Sequence, residues 1–243
     1  MSQKLSNLQR EAFLANKALF ASGLVNFSFG NASVVDRSQG VFAIKPSGVS
    51  YKKLKPSDIV VLDMDGKVVR GSGRPSSDTP THRLLLKNLG FTGCVMHTHS
   101  PMATAFAQAG VPLPCLGTTH ADYFAGSVPV TRKLREREVR SDYEHHTGVA
   151  ILDAFKSRDV AATPAVLVRS HGPFVWGEDW SRALHTALAL EFCADLAIAT
   201  MVIQPRSGPI PAFLHKKHYS RKHGPNAYYG QQHSPKRQAP IIP

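Results

Sequence analysis

Acidic side chains are scarce in this chain: 17 Asp and Glu stand against 29 Lys and Arg, a formal net charge of +12. Such a balance raises the question of nucleic-acid binding. The positive charge is scattered, however. Its densest run, Arg132 to Arg140, also carries Glu136 and Glu138 and reads as a solvated helix face. No stacking-aromatic motif or groove-reading helix accompanies it. The expectation is no nucleic-acid partner and a surface that attracts phosphorylated metabolites, with a basic nucleic-acid-binding metalloprotein as a remote alternative. Cysteine is also sparse. Cys94, Cys115 and Cys193 are odd in number and form no C-x-x-C, which argues against a disulfide framework and for buried thiols in a reducing, cytoplasmic setting. No apolar run approaches the ~20 residues of a membrane span. The first residues lack the charged start and solid apolar block of a signal peptide. The expectation is therefore a chain with no membrane partner.

What is present is an ordinary globular composition, 42% apolar and 19% charged over 243 residues, enough for one sizeable core. The chain is organised around His97-Thr98-His99. These residues close the apolar run Gly93-Cys94-Val95-Met96, which reads as a buried strand. Positions two apart on a strand share a face, so both imidazoles point the same way. Ser100 and Pro101 then open a helix as N-cap and first-turn residue. A second site, Ser170-His171-Gly172, ends another apolar run, Ala165 to Val168. Three histidines at two strand ends match the open three-ligand site of a catalytic zinc.

In order, Leu5, Leu8, Ala12, Ala15 and Leu19 fall at helical spacing with Gly23 as C-cap. Strands follow around Val34-Val35, Val41–Ile44 and Ile59–Leu62, with a tight turn at Asp65-Gly66. Lys45-Pro46-Ser47-Gly48 offers a cation, a hydroxyl and a glycine N–H, a group that holds a phosphate or simply makes a turn. Thr79 and Pro80 read as N-cap and first residue of a helix, placing Ser76 and Ser77 at an anion-favouring helix start. Asp78 either serves that dipole or reaches a metal, as ligand or as a partner orienting an imidazole. Further helices are expected at Pro101–Gln108, at Asp142–Phe155 with a break near Gly148, and from Asp179 to about Thr200 with Leu184, Leu188 and Leu196 as core positions. Pro205, Pro209 and Pro211 break helix, and a cationic, histidine-rich stretch precedes the end.

Seven runs together resemble the class II aldolase/epimerase family, in particular the branch that epimerises L-ribulose 5-phosphate at C4. They are F-G-N-A-S at 29–33, V-F-A-I-K-P-S-G-V at 41–49, P-S-S-D-T-P-T-H-R-L-L at 75–85, H-T-H-S at 97–100, G-T-T-H-A-D-Y-F at 117–124, S-H-G-P-F-V-W-G at 170–177 and K-H-Y-S-R-K-H-G-P-N-A-Y-Y-G-Q at 217–231. The resemblance implies one α/β domain over 1–231, a three-layer α/β/α sandwich with a mainly antiparallel sheet, followed by a disordered basic tail at 232–243. It implies metal ligation by His97, His99 and His171, with Asp78 at or near the metal, which is Zn2+ with Mn2+ or Co2+ as substitutes. Gly30, Asn31, Ser47, Gly48, Ser76 and Ser77 match the substrate and phosphate cradle. Asp122 and Tyr229 match the two acid/base groups. In a homotetrameric ring the tyrosine reaches a neighbour's active site, with His218 and Arg221 supporting it across the interface. The implied reaction converts L-ribulose 5-phosphate to D-xylulose 5-phosphate by cleaving and remaking C3–C4, which leads us to expect a raised Asp122 pKa and a lowered Tyr229 pKa. A sugar-phosphate aldolase of the L-fuculose-1-phosphate type is the alternative; aldolases of the family carry Glu at the position of Asp78. The run Leu134 to Arg140, the basic charge and the tail depart from the family pattern.

Overall fold

Between residues 31 and 70 short apolar runs divided by turn residues favour strands, and four strands form there. In a computed structural model, which describes residues 2–230, seven strands make one sheet. They are β1 (Asn31–Asp36), β2 (Val41–Ile44), β3 (Val60–Asp63), β4 (Val68–Arg70), β5 (Cys94–His97), β6 (Ala165–Leu167) and β7 (Pro173–Gly177). Their order is β4-β3-β2-β1-β5-β7-β6, and every strand pairing is antiparallel. The helices are α1 (Ser2–Ala21), α2 (Thr79–Asn88), α3 (Pro101–Ala109), α4 (Thr118–Ala121), α5 (Glu136–Ser141), α6 (Tyr143–Ala154), α7 (Trp180–Ile203) and α8 (Ala212–His223). The tail expected at 232–243 lies outside the described residues.

Alternation along the strands splits the core in two. Ala32, Cys94, Met96, Leu167 and Val175 face a cluster with residues of α1, α3 and α7. Phe42, Ile44, Val95, Val166, Phe174 and Trp176 face the other way, onto Leu85 and Leu86 of α2, Leu89 at its C-cap and Ile151 of α6. The sheet is thus the middle of an α/β/α sandwich. Trp176 and Leu85 are fully buried, and each such side chain contributes about 1.5–3 kcal/mol relative to exposure.

The helices depart from the sequence expectation in several places. α6 runs unbroken through Gly148. The glycine is a contact point instead: a Cβ there would come 2.9 Å from Leu84 Cδ2 of α2. On α7 the buried stripe is Ala183, Ala187, Leu190, Cys193, Ala194 and Ala197, while Leu188 and Leu196 are exposed. Small residues let α7 lie close to the sheet; Leu184 packs partly buried against the same cluster, and Leu188 and Leu196 point away. α7 is also long and apolar enough to cross a membrane by length and composition, which corrects the expectation that no such run exists; its alanine face packs in the core. In the run read as a solvated face, Glu138 is buried and receives both Arg132 guanidinium nitrogens at 2.8 and 2.9 Å.

Candidate active site

β5 delivers His97 at its last residue, in register with Asn31 at the first residue of β1. Antiparallel pairing therefore sets the imidazole beside the residue that follows Gly30. Gly30 itself has φ +76°, and a Cβ on it would strike the His97 carbonyl at 2.7 Å, so only glycine fits. His171 arrives from the other side, at the tip of the turn joining β6 to β7. There Ser170 takes φ +61°, and His171 N–H donates to the Val168 carbonyl at 3.0 Å.

The donor nitrogens of His97, His99 and His171 all lie within 4.8 Å of one another, and the Nε2 atoms of His97 and His99 are 3.1 Å apart. Nitrogens each ~2.0–2.1 Å from a tetrahedral cation would be separated by roughly 3.3 Å. His97 Nδ1–H donates to the Pro173 carbonyl at 2.9 Å, which leaves Nε2 as a lone pair facing the other two rings. Burial pushes His97 well below the imidazole range, helped by His171 and His99. Burial also lowers His99 and His171, against the opposing charge of Asp78. Neutral, clustered imidazoles are the donor set a divalent cation requires.

Asp78 stands outside that cluster of donor atoms. It occupies the N-cap position of α2 without capping the helix. Asn31 Nδ2 instead donates to its Oδ2 at 2.6 Å and to Ser76 Oγ at 3.0 Å. Thr79, expected as the cap, is the first helical residue, and its hydroxyl donates to the Ser76 carbonyl. Asp78 acts on His99 and His171 through its charge. The start of α3 is likewise not an open anion site, since Glu191 of α7 accepts from Met102 N and Ala103 N at 2.8 and 3.0 Å.

The two serine turns meet. Ser47 N–H donates to the Arg74 carbonyl and Ser76 N–H to the Lys45 carbonyl, around a bridge of Pro46 to Pro75. Ser47, Gly48 and Ser77 are exposed on this double turn, and Ser76 is buried. Lys45, the cation of the Lys45-Pro46-Ser47-Gly48 turn, is buried there. Its ammonium lies over the Tyr51 ring at 4.9 Å, and burial lowers its pKa. A buried ammonium beside such a turn suits a phosphate. Sequence offered a lysine in a turn and nothing to say that it would be buried.

A second cluster forms where α8 docks on α4. Arg221 donates to both Asp122 carboxylate oxygens at 3.0 and 2.8 Å, and His218 Nδ1 donates to Oδ1 at 3.1 Å. His223 Nε2–H donates to the Asp122 carbonyl at 2.8 Å. The Arg221 guanidinium lies over the Tyr229 ring at 4.1 Å. Burial works to raise the Asp122 pKa, but Arg221 and His218 outweigh it and hold the carboxyl below its usual range. The expected rise is therefore reversed: Asp122 rests as an anion. Among the described residues, no hydrogen bond, ion pair or ring contact joins Asp122, His218 or Arg221 to the three histidines.

Comparison with known proteins agrees with this architecture. A sequence model described as "Class II Aldolase and Adducin N-terminal domain" matches residues 10–198. The chain is 50% identical over 228 residues to the L-ribulose-5-phosphate 4-epimerase UlaF of Salmonella paratyphi C (strain RKS4594), covering 94% of this chain and all of that one. The UlaF protein of Salmonella typhi matches to the same extent. Among solved structures, an L-fuculose 1-phosphate aldolase superposes with TM-score 0.75 at 24% identity, over 88% of this chain and 95% of that one. The L-fuculose-1-phosphate aldolase of Thermus thermophilus superposes with TM-score 0.64 at 24% identity, over 82% and 98%. With its antiparallel sheet, its paired serine turns and its histidines at two strand ends, the chain belongs to the class II aldolase and adducin N-terminal domain family.

Proposed function

We propose that this protein is an L-ribulose-5-phosphate 4-epimerase, interconverting L-ribulose 5-phosphate and D-xylulose 5-phosphate. The observation that carries the reading is 50% identity, across nearly the whole chain, to proteins of that name. The fold alone leaves room for an aldolase, since L-fuculose 1-phosphate aldolases share it. Members of the family are metal-dependent, and the imidazole cluster has the composition to bind a metal. Three imidazoles with a carboxylate nearby favour Zn2+, with Mn2+ or Co2+ as substitutes.

C4 of a 2-ketose carries no acidic proton, so inversion there proceeds best by opening C3–C4 and closing it on the other face. A divalent cation held by His97, His99 and His171 would supply Lewis-acid stabilisation of the negative charge that accumulates on the C2 and C3 oxygens. Asp78, tethered by Asn31, holds the imidazoles' electrostatic environment. Ser47, Gly48, Ser76 and Ser77, with Lys45, bind the phosphate and keep the C4 fragment in place while its carbonyl turns. Gly30 and Asn31 line the sugar. The Asp122 carboxylate accepts the proton from O4 of one epimer, and the Tyr229 phenol donates to O4 on the opposite face, the roles exchanging in reverse.

Asp122 and Tyr229 are tied to each other through Arg221 and not to the histidines. We therefore read them as one unit contributed to a neighbouring subunit's imidazoles, with His218 and Arg221 in support, in a homotetramer. Exposed Leu188, Phe192, Leu196, Val202, Ile203 and Phe213 leave α7 and α8 with an apolar surface that such assembly would cover. The three cysteines are free thiols, in keeping with a cytoplasmic setting.

The test is a coupled assay on L-ribulose 5-phosphate. D-xylulose 5-phosphate should form, the rate should vanish on chelation, and added Zn2+ should restore it. Net release of two carbonyl fragments would point to the aldolase instead, and turnover indifferent to chelation would remove the metal from the reaction.

A further inference from the structure

The three imidazoles are held in three different ways. His97 is fixed from both sides: its Nδ1–H donates to the backbone at Pro173, and its ring lies flat on Phe174 at 4.2 Å with 16° between planes. His99 is exposed, with the Phe29 ring 5.8 Å away. His171 sits on a turn whose preceding residue is in the left-handed region, and its Nδ1 lies 3.2 Å from the Tyr143 hydroxyl. Tyr143 is the first residue of α6, half-buried, with its ring 6.1 Å from that of His171. The Thr147 hydroxyl donates to the Tyr143 main-chain carbonyl at 2.9 Å. Nothing in the spacing of Tyr143 and His171, 28 residues apart, marks the pair in the sequence.

We propose that Tyr143 is a positioning residue that sets the tautomer and orientation of His171 for metal binding. The proposal rests on the reading of the imidazole cluster as a metal site. With Nδ1–H donating to the phenol oxygen, the Nε2 lone pair of His171 is free for a cation. The other tautomer puts a proton on Nε2, which blocks it as a ligand. A neutral imidazole without a partner at Nδ1 divides between the two forms and turns more freely about χ2. His97 cannot lose its partner to mutation, because that partner is a backbone carbonyl. Tyr143 supplies the corresponding contact from a side chain, and removing such a contact from a metal-bound histidine typically weakens the metal about 10–100-fold.

The experiment compares the wild type with Tyr143→Phe, which keeps the ring and removes only the hydroxyl. Zn2+ affinity is measured by competition with a chromophoric chelator, alongside the melting temperature of each metal-free protein. We expect Zn2+ to bind Tyr143→Phe about 10–100-fold more weakly and to leave faster on chelation, with the metal-free melting temperature unchanged. On the Zn2+-loaded wild type, nitrogen-15 NMR of the imidazoles should show His171 protonated at Nδ1. Wild-type affinity in Tyr143→Phe overturns the proposal, and so does a metal-free melting temperature that falls with the affinity, since Tyr143 would then be holding α6. His171 unprotonated at Nδ1 overturns it without any variant. Failure of the wild type itself to take up Zn2+ would overturn the metal site and this proposal together; uptake by the wild type with no effect of the substitution overturns only the role of Tyr143.

Discussion

The imidazole cluster and the Asp122 cluster are built on opposite physical principles. The first is made by removing water. Strand ends and a hairpin tip bring three rings together, and desolvation, the leading cause of each shift, keeps them neutral. The second is made by adding charge. A guanidinium and an imidazole hold a carboxylate ionised although burial opposes it. The supports differ as well. β5 and β7 are buried throughout and β1 over its first half, whereas α8 has no buried residue and is joined to the α4 region by polar contacts. The imidazole cluster takes its rigidity from the strand ends and turn that carry it, whereas Asp122, buried at the end of α4, depends on Arg221 and His218 of a helix with no buried residue.

The largest break in that comparison is Asp122→Asn. Turnover should fall about 10²–10⁴-fold, the usual contribution of an acid/base group. Metal content and assembly should persist, because Asp122 touches α8 and not the histidines. Near-normal turnover would remove Asp122 from the chemistry.

Mixed rings sharpen the comparison further. If the two clusters meet only between subunits, inactive His97→Asn and inactive Asp122→Asn chains assembled together should recover activity at about a quarter of sites in a statistically mixed ring. Asp122→Asn mixed with Tyr229→Phe should recover none, because both lesions fall in the same unit. Recovery in the second mixture, measured as specific activity after co-refolding or co-expression, would separate Asp122 from Tyr229 and place them in different subunits.

Most of the sandwich was legible because its elements are periodic. The apolar spacing of α1 predicted its buried face, and the H-x-H and S-H-G runs predicted converging imidazoles, although β5 ends at His97 and leaves His99 exposed beyond it. The misses share a cause. Gly148 and the alanine stripe of α7 act through close approach to another element, which a pattern within one element does not encode. The sign of the Asp122 shift depends on Arg221, 99 residues away. The burial of Lys45 and the contact made by Tyr143 were not legible because a turn lysine and a helix-start tyrosine look the same whether they face solvent or a site. Local periodicity thus wrote the scaffold into the sequence, while the electrostatics of the site came from tertiary neighbours.

Lowering the pH should separate the stability held by dehydrated imidazoles from that held by the charge pairing of Asp122. His82, fully buried beneath Phe174 with Ser33 Oγ 2.7 Å from its Nδ1, is pushed by burial from 6.5 to about 3. His120, which donates to the Gly126 carbonyl, is pushed by burial to about 4. Below the ordinary imidazole range the unfolded chain binds protons that the folded chain refuses, so stability falls as the pH drops from ~6.5 toward ~4. At pH 5, His82 alone should cost about 2 kcal/mol relative to pH 7. The Asp122 shift has the opposite sign: its contribution is present above ~4 and is lost only below that. Urea titrations of the full-length protein should therefore show a clear loss between pH 6.5 and 5, where ordinary carboxylates remain mostly ionised. Unfolding free energies that stay flat across that interval would mean the buried imidazoles take up protons in place, and that dehydration is not what keeps them neutral.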